Sequence, residues 1–281
     1  MIEFRSVSKE YPDGTAAVEG FSLIVPAHKT TVLVGSSGCG KTTLLRMVNR
    51  MVEPTAGTIE IDGEDIRSRN AVELRRSIGY VMQNSGLLPH ITVIDNIATV
   101  PVLNGTPRRE ARERARELMQ TVGLDPSLAG RYPAQLSGGQ QQRVGVARGL
   151  AADPNVLLMD EPFGAVDPIV RSELQNELLR LQEGLGKTII FVTHDIDEAF
   201  LLGDQVVILA KGARPLQIGS PSEILENPAD DFVAAFIGVD QGKRALHLKR
   251  TPRGTVVVDA QGRTQGAIVE DGVEDGVEDG A

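Results

Sequence analysis

The chain holds a single cysteine, Cys39, among 281 residues. One thiol excludes an intrachain disulfide and every zinc site built on several cysteines, which suits a reducing compartment. Hydrophobic residues make up 41% of the chain, yet no apolar run approaches the roughly 20 residues a membrane-spanning helix needs. The opening residues, MIEFRSVSKEYPDG, lack the apolar core and small-residue cleavage site of a secretory signal, so the expectation is a cytoplasmic protein. An excess of basic charge is also missing: 29 Lys and Arg face 38 Asp and Glu, a formal net charge of −9. Six of those acids (Glu270, Asp271, Glu274, Asp275, Glu278 and Asp279) sit together near the C-terminal end, and without them 32 acids face 29 bases. That balance gives no attraction to nucleic acid, whose binders carry a basic face. The cluster Arg108, Arg109, Arg112, Arg114 and Arg116 is interleaved with Glu110, Glu113 and Glu117, the pattern of a solvated helix face.

What is present reads as an α/β chain. Alternation over Ile2–Val7 and Val18–Val25, then Thr58–Gly63, predicts an antiparallel β layer near the N-terminus. Thr30–Val34, Ile78–Met82, Val156–Met159, Thr188–Thr193 and Val206–Leu209 are short apolar runs of the kind found in parallel sheets covered on both faces, and helical patterns separate most of them. Between about Leu87 and Gln135 strand signals stop. A helix is expected there with Thr106-Pro107 as its cap and Gly123 as its stop, burying Ala111, Ala115, Leu118, Met119 and Val122 on one face. Beyond Gly238 the pattern weakens: Thr255–Val269 predicts one β-hairpin, and three Val-Glu-Asp-Gly repeats at the end cannot build a core.

Three segments carry chemistry. Gly35-Ser36-Ser37-Gly38-Cys39-Gly40-Lys41-Thr42 fits the phosphate-loop pattern between a strand and the helical Thr43–Asn49. Its glycines let backbone N–H groups turn toward phosphates, the helix N-terminus adds positive potential, Lys41 reaches the β and γ oxygens, and Thr42 ligates Mg²⁺. Val156–Met159 runs into Asp160 and Glu161, two acids at a strand end where phosphates sit. Asp160 is expected to bind Mg²⁺ and Glu161 to act as the base toward an attacking water, although paired acids after a strand often only cap a helix. In Leu136–Arg143, Ser137 and Gln140 form a capping-box pattern around Gly138 and Gly139, so a helix starts there with bare N–H groups and room for close approach.

That last string, Leu136-Ser137-Gly138-Gly139-Gln140-Gln141-Gln142-Arg143, is similar to the signature of ABC proteins. The resemblance implies a P-loop ABC ATPase core over residues 1–238, with an N-terminal antiparallel β layer and an inserted α-helical subdomain at about 87–135, followed by an extension over 239–281. It carries further roles onto matching positions: Tyr11 stacks on adenine, Gln83 senses Mg²⁺ and the attacking water, Asp167 belongs to the loop Gly164–Asp167 that crosses a dimer interface, and His194 contacts the γ-phosphate. Together with Gly35 to Thr43 and Ser137 to Gln140, these residues would bind ATP. Val166 departs from the leucine usual at its position, an exchange of one apolar residue for another. In the family each ATP lies between the phosphate loop of one copy and the signature helix of the other, so a homodimer is implied. Also implied are permease subunits docking on the helical subdomain and Gln83–His90, a peripheral place on the cytoplasmic face of the membrane, and an extracytoplasmic binding protein.

Longer stretches narrow the kinship. Gln140–Gly145, Met159–Arg171 and Asn227–Gly238 resemble ATPases for uptake of quaternary amines such as glycine betaine, choline or carnitine; importers of methionine or other amino acids are the alternative. ABC proteins of DNA repair or translation would bring coiled coils, zinc-binding cysteines or two ATPase halves, and a regulator without turnover would lack Glu161 or His194. Val256–Arg263 looks like a fragment of a CBS regulatory domain, in a stretch too short to hold one.

Overall fold

Strand β1 (Ile2–Glu10) alternates inward Ile2, Phe4 and Val7 with outward polar residues, and pairs antiparallel with β2 (Ala16–Val25) and β4 (Ala56–Ile61). The two-residue β5 (Glu64–Asp65) completes a four-stranded sheet in the order β2-β1-β4-β5. Its inner face is apolar, with Phe4 and Phe21 edge-on at 5.2 Å. The computed structural model describes residues 1–164, 166–238, 247–251, 254–258 and 264–267.

The second sheet holds the runs expected to be buried. β3 (Thr30–Gly35) is buried along its whole length, as are β7 (Val156–Asp160) and β8 (Thr188–Thr193). With β6 (Ile78–Val81), β9 (Gln205–Ala210) and β10 (Arg214–Gly219) they form the order β10-β9-β3-β8-β7-β6. The five strands from β9 to β6 are parallel, and β10 returns antiparallel at the edge. Strands buried on both faces need apolar side chains at every position, which is why they show continuous runs and not alternation. β10 was not expected: Pro215 and its polar neighbours suit only an edge, and that is where it lies. Because the strands are parallel, the residues that follow β3, β6, β7 and β8 all emerge at one rim of the sheet.

Crossover helices are α1 (Lys41–Val48), α2 (Ala71–Ser77), α6 (Pro168–Leu185) and α7 (Ile196–Leu202), with α8 (Pro221–Glu226) after β10. Between β6 and β7 stand α3 (Val93–Leu103), α4 (Arg108–Thr121) and α5 (Gly138–Leu150), packed on one another. The five residues expected on one face of α4 are all buried. The cap is a correction: α4 starts behind Pro107 with no side-chain cap, so Thr106 does not perform that role, whereas Gly123 takes the left-handed turn at the other end (φ +64°). Asp95 on α3 holds α4 through Arg112 at 2.8 Å and Arg108 at 3.2 Å, and these arginines keep its carboxyl down at about 2.

The chain divides into two compact units, Met1–Asn227 and Pro228–Ala281. In the second, α9 (Asp231–Ile237) is capped by Asp230, and β11 (His247–Thr251), β12 (Gly254–Val258) and β13 (Thr264–Ala267) form a meander. The expected hairpin is thus β12–β13 with a third strand added before it. The part of Val256–Arg263 beyond Val258, and all three Val-Glu-Asp-Gly repeats, lie outside the described residues.

Candidate functional site

At the end of β3 the backbone must turn back on itself within a few residues, and glycine makes that possible at two points. Gly38 has φ +76° and Gly40 φ +113°, and a Cβ on Gly40 would run into the carbonyl of Ala17. Ser36 accepts from the Cys39 N–H at 3.3 Å, and the Cys39 carbonyl is anchored by Ala213 N–H at 2.7 Å. Cys39 itself is buried, and its side chain faces inward. The loop hands the chain to α1, whose first turn has no capping side chain and no acid. Helix ends leave N–H groups without partners unless something supplies an acceptor. Among the described residues no side chain does so, and the uncovered end has the character of an anion site. Lys41 is 4% exposed, and its ammonium donates to the carbonyls of Gly35 (2.8 Å) and Ser36 (3.0 Å). Ser37 and Thr43 complete the loop and the first turn of the helix.

Next to this end the acids of β7 arrive. Thr42 Oγ1 donates to Asp160 Oδ1 at 2.8 Å, and the Tyr80 hydroxyl donates to Asp160 Oδ2 at 3.1 Å. Burial, with the Asp160 charge beside it, pushes the Tyr80 phenol up to about 12, so it stays a donor. Arg46 stands 3.7 Å from the same carboxylate, and the hydrogen bond with Tyr80, then Asp160 and Tyr11, favour its charge. Neither Tyr80 nor Arg46 was singled out from sequence, though signals existed. Tyr80 puts a hydroxyl into an apolar buried strand, where it must find a partner, and Arg46 lies at i+4 from Thr42, on the same helix face.

Glu161 does not cap a helix. Its N–H bonds to Val192 O at 3.0 Å, and its backbone is held at φ +45°, a conformation rare for a residue with a side chain, costing on the order of 1–3 kcal/mol. Strain of this kind turns the carboxylate toward the segment after β8, where His194 Nδ1 lies 3.0 Å from Glu161 Oε2. An ionised carboxylate only accepts, so in that pairing Nδ1–H donates and Nε2 is left to face outward. Gln83 follows β6 and comes to the same place: a methyl on Gly164 would lie 3.6 Å from Gln83 Nε2 and 3.9 Å from Glu161 Oε2. Asp167 caps α6, accepting from Val170 N at 3.1 Å. Tyr11 sits on the β1–β2 turn, half-buried, with the Lys9 ammonium 5.3 Å from its ring centre.

Ser137 caps α5, accepting from Gln140 N at 3.3 Å while Gln140 Oε1 accepts from Ser137 N at 2.9 Å, the reciprocal box expected. The two glycines between them differ. A Cβ on Gly139 would strike Val170 of the same chain, whereas one on Gly138 meets nothing within 4 Å among the described residues. Among the described residues no hydrogen bond or ion pair joins Ser137–Gln140 to the Gly35–Thr43 loop. One chain therefore brings Lys41, Thr42, Gln83, Asp160, Glu161 and His194 together and leaves the signature residues apart.

The Thr42 hydroxyl and the Asp160 carboxylate beside it are oxygen donors that suit a hard divalent cation, and the Gln83 amide, near Glu161, offers a further oxygen. Among the described residues no group of three or more His, Cys, Asp or Glu forms a cage, so a cation held here would draw its remaining ligands from phosphate and water.

Residues 18–164 match the family described as ABC transporter. The chain is 52% identical over 241 residues to the choline transport ATP-binding protein OpuBA of Bacillus subtilis, covering 86% of this chain and 63% of that protein. It thus spans less than two thirds of that relative's length. The glycine betaine uptake system ATP-binding protein YehX of Escherichia coli is 51% identical over 250 residues, covering 89% of this chain and 80% of the relative. In three dimensions the chain resembles the dimeric post-hydrolysis structure of the ATP-binding cassette MJ0796 bound to ADP and phosphate, with a TM-score of 0.71, 32% identity, and coverage of 79% of this chain and 99% of that one.

Proposed function

The chain belongs to the ABC transporter family, and from that premise we propose that it is an ATP-hydrolysing subunit that works as a pair of identical copies to drive uptake of a quaternary-amine osmoprotectant. The observation that carries this reading is the convergence of Thr42, Asp160, Glu161 and His194 on the uncapped start of α1. The N–H groups of the loop and of α1 would hold the phosphates, and Lys41 would exchange its carbonyl partners for phosphate oxygens. Thr42 and Asp160, with Gln83, would hold Mg²⁺, which when bound neutralises charge on the transferring phosphoryl group. Glu161 would orient and deprotonate the attacking water, held in position by its strained backbone and by His194, whose Nε2 would meet the γ-phosphate. Tyr11 would stack on the adenine.

Ser137, Gly138, Gly139 and Gln140 would face the nucleotide of the second copy, with Asp167 in the loop between the two. Gly138 supports this: among the described residues of its own chain none lies close enough to ask for a glycine there, although glycine weakens a helix by about 1 kcal/mol relative to alanine. Close approach of a phosphate supplies the reason. Association by the ATP-bound faces and release after hydrolysis would then move an attached permease. No helix among the described residues is long and apolar enough to cross a membrane, so the membrane path would belong to separate subunits, with this chain on their cytoplasmic side. The substrate class rests on kinship with relatives named for choline and glycine betaine. Selection of the solute would lie in a binding protein able to hold a trimethylammonium group by cation–π contact.

The test is reconstitution with the native permease and binding protein in vesicles, comparing ATP-dependent uptake of labelled glycine betaine, choline and methionine. Uptake of a quaternary amine that stops in Glu161→Gln supports the reading; methionine uptake alone would replace the substrate class, and no ATP hydrolysis by the wild type would remove the proposal.

A further inference from the structure

Arg148 stands near the end of α5 remote from Ser137, half-buried, and no acidic side chain pairs with it among the described residues. Burial alone acts on its guanidinium, drawing its pKa down. Its two arms donate instead to consecutive main-chain carbonyls, Ser85 O at 2.6 Å and Gly86 O at 2.7 Å. A buried cation without a counter-ion is costly unless its hydrogen bonds are worth more than the water it loses, so the bonds it does make call for a purpose.

The carbonyls it grips belong to a turn in an unusual conformation. Ser85 has φ +50° and Gly86 φ +56° in succession, and Ser85 N–H closes back on Met82 O at 3.0 Å. A Cβ on Gly86 would collide with the Met82 side chain. Two residues later Asn96 of α3 takes hold, accepting from Leu88 N at 2.8 Å and donating to Leu88 O at 3.1 Å. Between the end of β6 and these two grips lie Met82, Gln83 and Asn84, and Asn84 is tied into the same turn by the Gly86 N–H, which donates to its carbonyl.

The geometry points to Arg148 as a positioning residue that fixes the Gln83 segment to α5, the helix whose other end is the Ser137 cap. The inference rests on the ATPase reading for its kinetic consequence. A tilt of α5, caused by whatever engages Ser137 and Gly138, is delivered by the guanidinium to Ser85 and Gly86 and from there to Gln83, beside Glu161. One nucleotide face thereby reports on the other within a single chain. The guanidinium suits the role because its planar fork bridges two acceptors, which an ammonium cannot match in the same geometry.

Two variants separate positioning from mere stability. Arg148→Lys keeps the charge and loses the fork; Gly86→Ala disturbs the same turn with Arg148 intact. Both should lower kcat by about tenfold or more while the Kd for ATP stays within about twofold, and both should bring the Hill coefficient for ATP toward one. Wild-type kcat and cooperativity in both variants, or losses that only track the folded fraction in a melting curve, would overturn the assignment. The clamp also has a readout independent of turnover, since the chain contains no tryptophan. A tryptophan introduced by Asn84→Trp should become about twofold more open to acrylamide quenching when Arg148→Lys is added, as expected for a locally released segment. Unchanged quenching would sink the clamp even if ATP hydrolysis is observed, and a wild type without hydrolysis would remove the ATPase reading while leaving this measurement decisive.

Discussion

The helix that begins at Lys41 and the helix that begins at Gly138 both present an N-terminus with glycines before or in the first turn, yet they are finished in opposite ways. At α1 the end has no cap, but the chain surrounds it: Lys41 is buried in its own loop, and Asp160, Tyr80, Glu161 and His194 stand around it. At α5 the end has a complete capping box, and beyond it Gly138 faces open space. The first has the form of a cradle that one chain could offer an anion. The second is a stable surface that one chain leaves unmatched. On the proposed reading, the chemistry is lodged in one half and the demand for a second copy in the other.

Breaking the first half should have the largest effect. Glu161→Gln should retain nucleotide binding and lose turnover by roughly a hundredfold or more, the range for removal of a general base, measured by phosphate release. Lys41→Ala should instead act on binding, weakening ATP affinity by about ten- to a hundredfold in equilibrium titration, as expected for one charge-assisted hydrogen bond. Unchanged affinity would remove Lys41 from the cradle.

The two adjacent glycines sharpen the comparison. Gly139→Ala should destabilise the fold by about 1–3 kcal/mol, because its methyl overpacks Val170. Gly138→Asp should leave thermal stability unchanged or slightly raised, since an acid in the first turn suits the helix dipole, and it should still abolish turnover. If both behave alike in a melting curve, the distinction drawn between them is wrong.

Smaller effects come from the supports on each side. Asp95 ties the helices beneath α5. Its carboxyl is 14% exposed and its partner arginines more so, so solvent screening limits the loss in Asp95→Asn to about 1–2 kcal/mol. Its folded pKa is depressed, so this contribution is complete above the usual carboxylate range and disappears as pH falls through about 2. Glu198, behind the His194 segment, is the reverse case. It is buried against Gln175 at 2.9 Å, and desolvation raises its pKa. The charged form therefore costs native stability as pH rises through and above the ordinary glutamate range. Glu198→Gln should be neutral or stabilising at pH 7 by up to about 1 kcal/mol, and the two proteins should converge in acid.

The sequence announced what depends on neighbours along the chain. The buried runs Thr30–Val34 and Thr188–Thr193, the phosphate loop, the Ser137–Gln140 box and the α4 face all follow from local pattern, and the structure has them. What stayed hidden depends on residues remote in sequence. Tyr80 and Arg46 matter because Asp160 lies beside them; Gly138 and Gly139 differ only because Val170 packs on one of them; Arg148 acts on carbonyls, which no residue identity advertises. The strained φ of Glu161 could not be read either, since glutamate gives no hint of a left-handed backbone.

On the proposed reading, the open face at Gly138 is completed by a second copy holding ATP. That completion is tested most directly by light scattering on a sizing column, comparing Glu161→Gln with Glu161→Gln/Gly138→Asp in the presence of Mg²⁺ and ATP. Glu161→Gln should form a dimer only with ATP, and the double variant should stay a monomer that still binds ATP. A Glu161→Gln chain that stays monomeric at saturating ATP, or a dimer that survives Gly138→Asp, would contradict it.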